Sequence, residues 1–340
     1  MILSNQPHRK KTSITFCYRG IPVNRGMRHC VASLLEKAGY EVRQIKDGPV
    51  DLPAGSVLWI WGNANWYPAL YTQLRAMPRP ERPLVVLWHT EPLPPSRAAG
   101  LPWPGLNWWE MAKFILRDSN ATDVYTNYIA LRRWSKQQLP DILVAATVGR
   151  REFLSERGIM AEWVPLGYES SYGRDLGFRR DFDVLFLGAR DVPRRNRFLR
   201  RLRQEGIPVQ AVGSYDDPTC WGEQRTLLLN RTKILLNFAR TPGEFPDLRM
   251  ILGMANKALV ISEPMYRPDP FVPGRHFISA SIDEMSEKIR YFLTHDEERD
   301  AINELAHRFI NDDVTMERSV SRILDLIAVR AHQHTRLCNG

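Results

Sequence analysis

Only four cysteines occur in 340 residues, at positions 17, 30, 220 and 338, and no CxxC or CxH spacing joins them. That leaves neither a disulfide framework nor a zinc ligand set. Apolar runs of roughly 20 residues, the length needed to cross a bilayer, are missing too, and the opening SNQPHRKKTS lacks the apolar segment of a secretory leader. A soluble protein of a reducing cytoplasm is expected. Walker A, HExxH, kinase, GxGxxG and Ser-His-Asp signatures are absent as well. Acidic residues fall short of basic ones, 38 against 47, and the shortfall is uneven. Residues 1–170 hold 21 Lys and Arg against 14 Asp and Glu, and residues 171–340 hold 26 against 24. An excess this modest does not point to nucleic acid as a partner.

What is present is an ordinary globular composition, 44% hydrophobic, long enough for two domains with separate cores. Nine of the ten tryptophans precede residue 164, so the more basic half is also the tryptophan-rich one. Two readings of that half stand side by side. Its rings belong to the core and its charge to solvent, or it faces an anionic membrane, a sugar or a lipid carrier. Strand signals (ITFCYRG, EVRQI, SVLWIWG, PLVVLWH, DVYTNY, ILVAATV, AEWVPLG) alternate with helix signals (MRHCVASLLEKAGY, Tyr71–Ala76, ALRRWSKQQL, REFLSERG). The polar, aperiodic YESSYGRDLGFRRD marks a linker, after which the alternation resumes. The fold class is α/β with mainly parallel sheets. The expected division is a polar tail 1–12, a first domain 13–166, a linker 167–180, a second domain 181–314, and a C-terminal helix and tail 315–340.

The most informative stretch is RTKILLNFARTPGEFPDLRMILGMANKALVISE, residues 231–263. It reads as a buried strand (Ile234–Phe238), a charged loop, a helix opening near Pro246 and a second buried strand (Ala258–Ser262). Ligands of open parallel sheets sit beyond the carboxyl ends of the strands, and that edge carries Arg240, Glu244, Asp247 and Arg249. Arginines beside a helix N-terminus suit a diphosphate, and the carboxylates suit sugar or ribose hydroxyls. The loop after DFDVLFLG adds Gly188, Arg190, Arg194 and Arg195. Gly213 and Tyr215 follow the next strand, where a base would rest or a glycine merely end the strand. Asn237, among apolar residues, needs a partner from backbone or ligand. In the first half, Gly20, Asn24 and Arg25 after the first strand face the same cleft, as do His89 and Glu91 after PLVVLW. His89 or Glu91 is placed to act as general base toward an acceptor hydroxyl, or to orient it; a core role is the other reading of His89.

DVLFLG with its basic loop, the LLNF strand end, PDLRMILGMANKALVISEP and VPGRHFISASIDEMSEKIRYFLTHDEERDAINELAHRF resemble the donor-binding domain of GT-B fold glycosyltransferases. The likeness is greatest to the group that includes spore-maturation-type proteins. It covers residues 181–312 and is architectural only in the first half. It implies two Rossmann-like domains facing across a cleft, with a last helix crossing back to the first domain. It also implies a nucleotide-diphospho-sugar held by the second half and an acceptor held by the first. On this resemblance Gly188 and Arg190 lie at the diphosphate, Glu244 and Arg249 at sugar and phosphate, and Glu263 near the ribose. The family's E-x7-E pattern, begun at Glu244, would end where this chain has Leu252, so Glu263 or Asp247 takes that contact or the donor is held differently.

The implied activity is a hexosyltransferase acting on a glycan, lipid-linked or small-molecule hydroxyl. It is retaining and independent of metal, with the nucleotide-sugar as substrate and no cofactor. The implied location is the cytoplasm, with peripheral contact to the inner face of the membrane through the basic, Trp-rich half. Two alternatives stand beside it: a GT-B-type nucleotide-sugar epimerase, and a nucleotide-sugar-binding protein without catalysis, which Leu252 favours.

Overall fold

A computed structural model describes residues 12–19, 25–94, 96–100, 119–188, 192–213, 217–240 and 243–338. The first sheet contains β1 (Ser13–Cys17), β2 (Glu41–Ile45), β3 (Val57–Trp61), β4 (Leu84–His89), β5 (Ile142–Ala145) and β6 (Glu162–Trp163), in the order β2-β1-β3-β4-β5-β6. Helices α1 (Arg25–Lys37), α2 (Pro68–Ala76), α3 (Ser119–Lys136) and α4 (Val148–Ser155) connect these strands. The second sheet contains β7 (Phe182–Leu187), β8 (Gln210–Val212), β9 (Thr232–Asn237), β10 (Leu259–Ser262) and β11 (Ile278–Ser279), in the order β11-β10-β9-β7-β8. Its helices are α5 (Pro193–Gln204), α6 (Gly222–Asn230), α7 (Asp247–Ala255), α8 (Met285–Thr294) and α9 (Asp296–Asp312); α10 (Met316–Cys338) closes the chain.

Every strand pair in both sheets is parallel. Parallel sheets bury both faces, which is why VLWIW and ILLN read as unbroken apolar runs rather than alternations. Each sheet reverses its winding once, between β1 and β3 in the first and between β7 and β9 in the second. Crevices for ligands open at such reversals. This is the expected α/β architecture of two Rossmann-like halves.

DVYTNY, expected as a strand, is the middle of α3. Its Val and Tyr content favours a strand, but Val124, Asn127, Leu131 and Trp134 are buried at helical spacing, and the stripe runs on into ALRRWSK. Tertiary burial overrides the local preference. Four of the tryptophans answer to the core reading: Trp59, Trp88 and Trp134 are completely buried and Trp61 nearly so. LPWPGLNWWEM lies outside the described residues.

One apolar cluster runs unbroken from Trp59, Val86 and Trp88 of the first sheet to Leu235 and Met254 of the second half, and takes in Val320, Ile323 and Ile327 of α10. The C-terminal helix crosses back as expected and packs on α1, β4 and β5. Two backbone segments make the crossing side by side: Tyr168 N donates to Val314 O at 2.7 Å and Met316 N to Tyr168 O at 2.8 Å. Ser319 Oγ adds a bond to Pro165 O at 2.9 Å. Residues 167–180 run against the second half, where Arg180 Nη1 reaches Thr232 O at 2.8 Å and Asn230 Nδ2 reaches Arg174 O at 2.8 Å.

At Gly167 an added Cβ would collide with the backbone of Thr315 and Met316. Backbone cannot swing aside as a side chain can. Gly167→Ala is expected to cost roughly 1–3 kcal/mol of stability, read as a lower denaturation midpoint together with faster proteolysis near residue 315. Unchanged values for both would show that the crossing is looser than described.

Candidate active site

Residues from both reversal points line one cavity of about 480 Å³. Arg19, Trp61, Asn65, Trp66, Thr90 and Glu91 form its wall on the first half, and Gly188, Arg195, Gly213, Glu244, Asp247 and Arg249 that on the second. Six guanidiniums (Arg19, Arg150, Arg195, Arg225, Arg240, Arg249) stand against three carboxylates (Glu91, Glu244, Asp247). A concave surface with that balance concentrates anions.

The cationic floor is built at the end of β9. The Phe238 carbonyl accepts from Arg195 Nε at 2.9 Å and from Arg249 Nη1 at 3.2 Å. Arg195 comes from the first turn of α5 and Arg249 from the first turn of α7, so each side of the reversal supplies one guanidinium. Arg249 is tethered twice more, through Nε to Leu187 O at 2.8 Å and through Nη1 to Asn237 Oδ1 at 2.6 Å. Burial pushes its pKa down to about 9, the Arg195 guanidinium adds to the effect and Glu244 opposes it. It stays a cation at neutral pH. The glycines are sterically required: a Cβ at Gly188 would sit 2.8 Å from Arg249 Nη2, and one at Gly213 would collide with the Gly188 carbonyl.

Asp247 opens α7 and accepts from Leu248 N at 2.9 Å. Arg150, in the first turn of α4, reaches across from the other half to Asp247 Oδ2 at 3.4 Å and is held within its own half by Thr90 O at 2.9 Å. Burial raises the Asp247 pKa, against the pull of Arg150. A second contact from α4 joins the halves, Tyr266 Oη to Glu152 Oε2 at 2.7 Å. On the first wall, the Trp66 ring occupies the space a Cβ at Gly62 would need, and the Arg19 guanidinium lies 4.8 Å above that ring. Asn63 donates to Asn127 Oδ1, and Asn127 Nδ2 binds Pro92 O at 2.8 Å. These amides fix the loops after β3 and β4 that carry Asn65 and Glu91.

Of the residues expected from sequence, Gly188, Gly213, Arg240, Glu244, Asp247, Arg249 and Glu91 meet in this cavity. Four others are placed differently. His89 is the last residue of β4 and completely buried, away from the lining; burial and then the Arg150 guanidinium push its pKa down to about 3, against weaker backbone contacts at Gly62 and Glu91. An inaccessible imidazole that stays neutral serves the core. Arg194 and Glu263 bind each other outside the cavity lining, Nη1 to Oε1 at 2.7 Å, and Glu263 also accepts from Ala239 N at 2.8 Å. Asn237 finds its partners within the protein, Arg249 and Ser262 Oγ (3.1 Å), and acts by holding Arg249. Gly20, Asn24, Arg190 and Tyr215 lie outside the described residues, as does the side chain of Arg25, which opens α1.

Sequence reasoning missed Arg150 and Arg225. Both occupy the first turn of a helix, α4 after β5 and α6 after β8. The helix-start rule applied to residues 231–263 would have found them.

Residues 194–325 match the family described as glycosyl transferase-like. No curated protein matches the chain by sequence. Among solved structures, sucrose-phosphate synthase from Thermosynechococcus elongatus superposes with a TM-score of 0.63 at 10% identity, over 94% of this chain and 98% of that one. HepE of Anabaena, in complex with UDP-glucose, gives 0.59 at 8% identity over 93% and 99%. TarM gives 0.57 at 12% identity over 87% of this chain, which spans only 57% of TarM. The fold is therefore that of GT-B glycosyltransferases, and residues 194–325 are similar to the glycosyl transferase-like family. Among the described residues no helix is long and apolar enough to cross a membrane.

The buried His89 generates a pH dependence with a definite sign. The unfolded chain takes up a proton below its ordinary value of 6.5 while the folded chain resists until about 3. The stability due to neutral His89 is complete above pH 6.5 and is lost as pH falls, by roughly 1.4 kcal/mol per pH unit. Denaturant unfolding between pH 7 and pH 5 should show this slope in the wild type and a flatter one in His89→Leu. Equal slopes would mean that the imidazole protonates in place.

Proposed function

We propose that the protein transfers a sugar from a nucleotide-diphospho-sugar to a hydroxyl acceptor, with the donor on the second half and the acceptor on the first. The observation that carries this reading is the pair of guanidiniums, Arg195 and Arg249, converging on the Phe238 carbonyl in a cavity with six arginines. Two adjacent cations with a third close by match a diphosphate, whose charge grows as the glycosidic bond breaks. The UDP-glucose complex of HepE, which shares this fold, supports the same assignment.

In this reading Arg249 and Arg195 hold the leaving diphosphate in place of a metal ion, with Arg240 beside them. Glu244 and Asp247 face the sugar. Glu91 takes the hydrogen bond of the acceptor hydroxyl, the part His89 is too deeply buried to play. Arg19, Asn65 and the Trp61 and Trp66 rings would bound the acceptor. Transfer proceeds with retention, and closure of the halves through Arg150 and Asp247 excludes water. Leu252 lines the cavity where the family has a carboxylate, so the ribose is held without one there. The enzyme would work in the cytoplasm.

Arg249→Met should weaken UDP, GDP or ADP binding on the order of a hundredfold by calorimetry, as expected when a charged pair to phosphate is lost. Undiminished affinity in the folded variant would remove the donor site from this cavity. Glu91→Gln should leave donor affinity unchanged and lower turnover by about a hundredfold or more. Turnover near wild type would return Glu91 to the loop's scaffold. Turnover that survives EDTA is expected. Conversion of the donor to an epimer without acceptor would favour the epimerase reading.

A further inference from the structure

Arg225 is the buried cation of the cavity wall that the diphosphate leaves unused. It stands in the first turn of α6, only 5% exposed, and lines the cavity with Tyr172, Cys220 and Trp221. Nη2 donates to Ser171 O at 2.8 Å, while the buried Nε meets no acceptor among the described residues. The Nε is closed off from the cavity, so a ligand there would meet the rest of the guanidinium that lines the wall.

This end of the cavity holds its own countercharge. Burial lowers the Arg225 pKa, and the carboxylate of Glu169, buried and fixed by Ser171 N at 2.8 Å, opposes that shift. The floor at Phe238 is the reverse, with two guanidiniums crowding one carbonyl and Arg195 the nearest influence on Arg249 after burial. One end of the cavity suits phosphate and the other a neutral, acceptor-rich edge.

We propose that Arg225 reads the base of the nucleotide donor by binding its keto edge, with the Trp221 ring as the stacking wall beside it. This rests on the nucleotide-donor reading above. A guanidinium only donates, so it pairs with O4 of uracil or thymine, or with O6 and N7 of guanine. Opposite the amino group of cytosine or adenine it would face another donor, and adenine would leave it N7 alone.

Paired diphosphates vary that edge: UDP against CDP, and GDP against ADP, each titrated calorimetrically into the full-length protein. In the wild type the keto member of the pair that fits the cavity should bind about tenfold more tightly than its amino counterpart, or better. Arg225→Met should bring that ratio close to one, through loss of the keto ligand rather than gain of the other. Should Arg225→Met fail to fold, Arg225→Lys, which keeps a charge but not the fork, should give an intermediate ratio. Wild-type ratios of one or less in both pairs overturn the proposal, and so does a ratio that survives either substitution. If all four bind alike, the base assignment alone falls; if none binds, the donor reading falls with it.

Discussion

The site depends on two like charges sharing one backbone oxygen. The donor nitrogens of Arg195 and Arg249 lie 2.9 and 3.2 Å from Phe238 O, so they are no more than 6.1 Å apart. At an effective dielectric of about 20, unit charges at that spacing repel by roughly 3 kcal/mol. The surroundings hold them there. Asn237 and Leu187 O fix Arg249 from one side, Gly188 and Gly213 clear the space around it, and the buried β9 fixes the carbonyl. Such an arrangement is unfavourable when empty and relieved by an anion, which is the sense in which it is preorganised.

The rest of the cavity is set by how the halves are joined. Helix α4 of the first half supplies both Arg150, to Asp247, and Glu152, to Tyr266, so one short helix fixes the spacing of the two walls. A buried ion pair adds little net stability, because desolvation offsets its attraction. At 3.4 Å the Arg150–Asp247 contact acts more as a register mark than as a bond, and burial raises the Asp247 pKa in spite of it.

The architecture was legible in the sequence because parallel strands buried on both faces leave unbroken apolar runs, and first-turn residues betray helix starts. ILLNFARTPGEFPDLR carries both signals, and it gave the βαβ unit, Arg249, Glu244 and Asp247 their places. The errors share one cause. Periodicity locates a residue along an element but not what it meets across space. Glu263 and Arg194 are 69 residues apart and bind each other; His89 is one residue short of the loop that reaches the cavity; DVYTNY has strand-forming residues on a helical stripe. Arg150 and Arg225 were legible by the same first-turn rule: Arg150 follows the uncharged Ala146 and Thr147, whereas Arg225 follows Asp216 and Asp217 and carried the same charged-loop signal as Arg249.

The last helix gives the protein an unusual order of assembly. Met316, Val320, Ile323 and Ile327 form a buried stripe at helical spacing, and they complete the apolar cluster containing Val31 and Leu35 of α1. Domains synthesised first commonly finish folding first. Here the half that leaves the ribosome earliest waits for residues made some 280 positions after its own α1, by which time β7 to β11 have been synthesised. Until then α1 exposes an apolar face, and the nascent chain depends on whatever shields that face in the meantime.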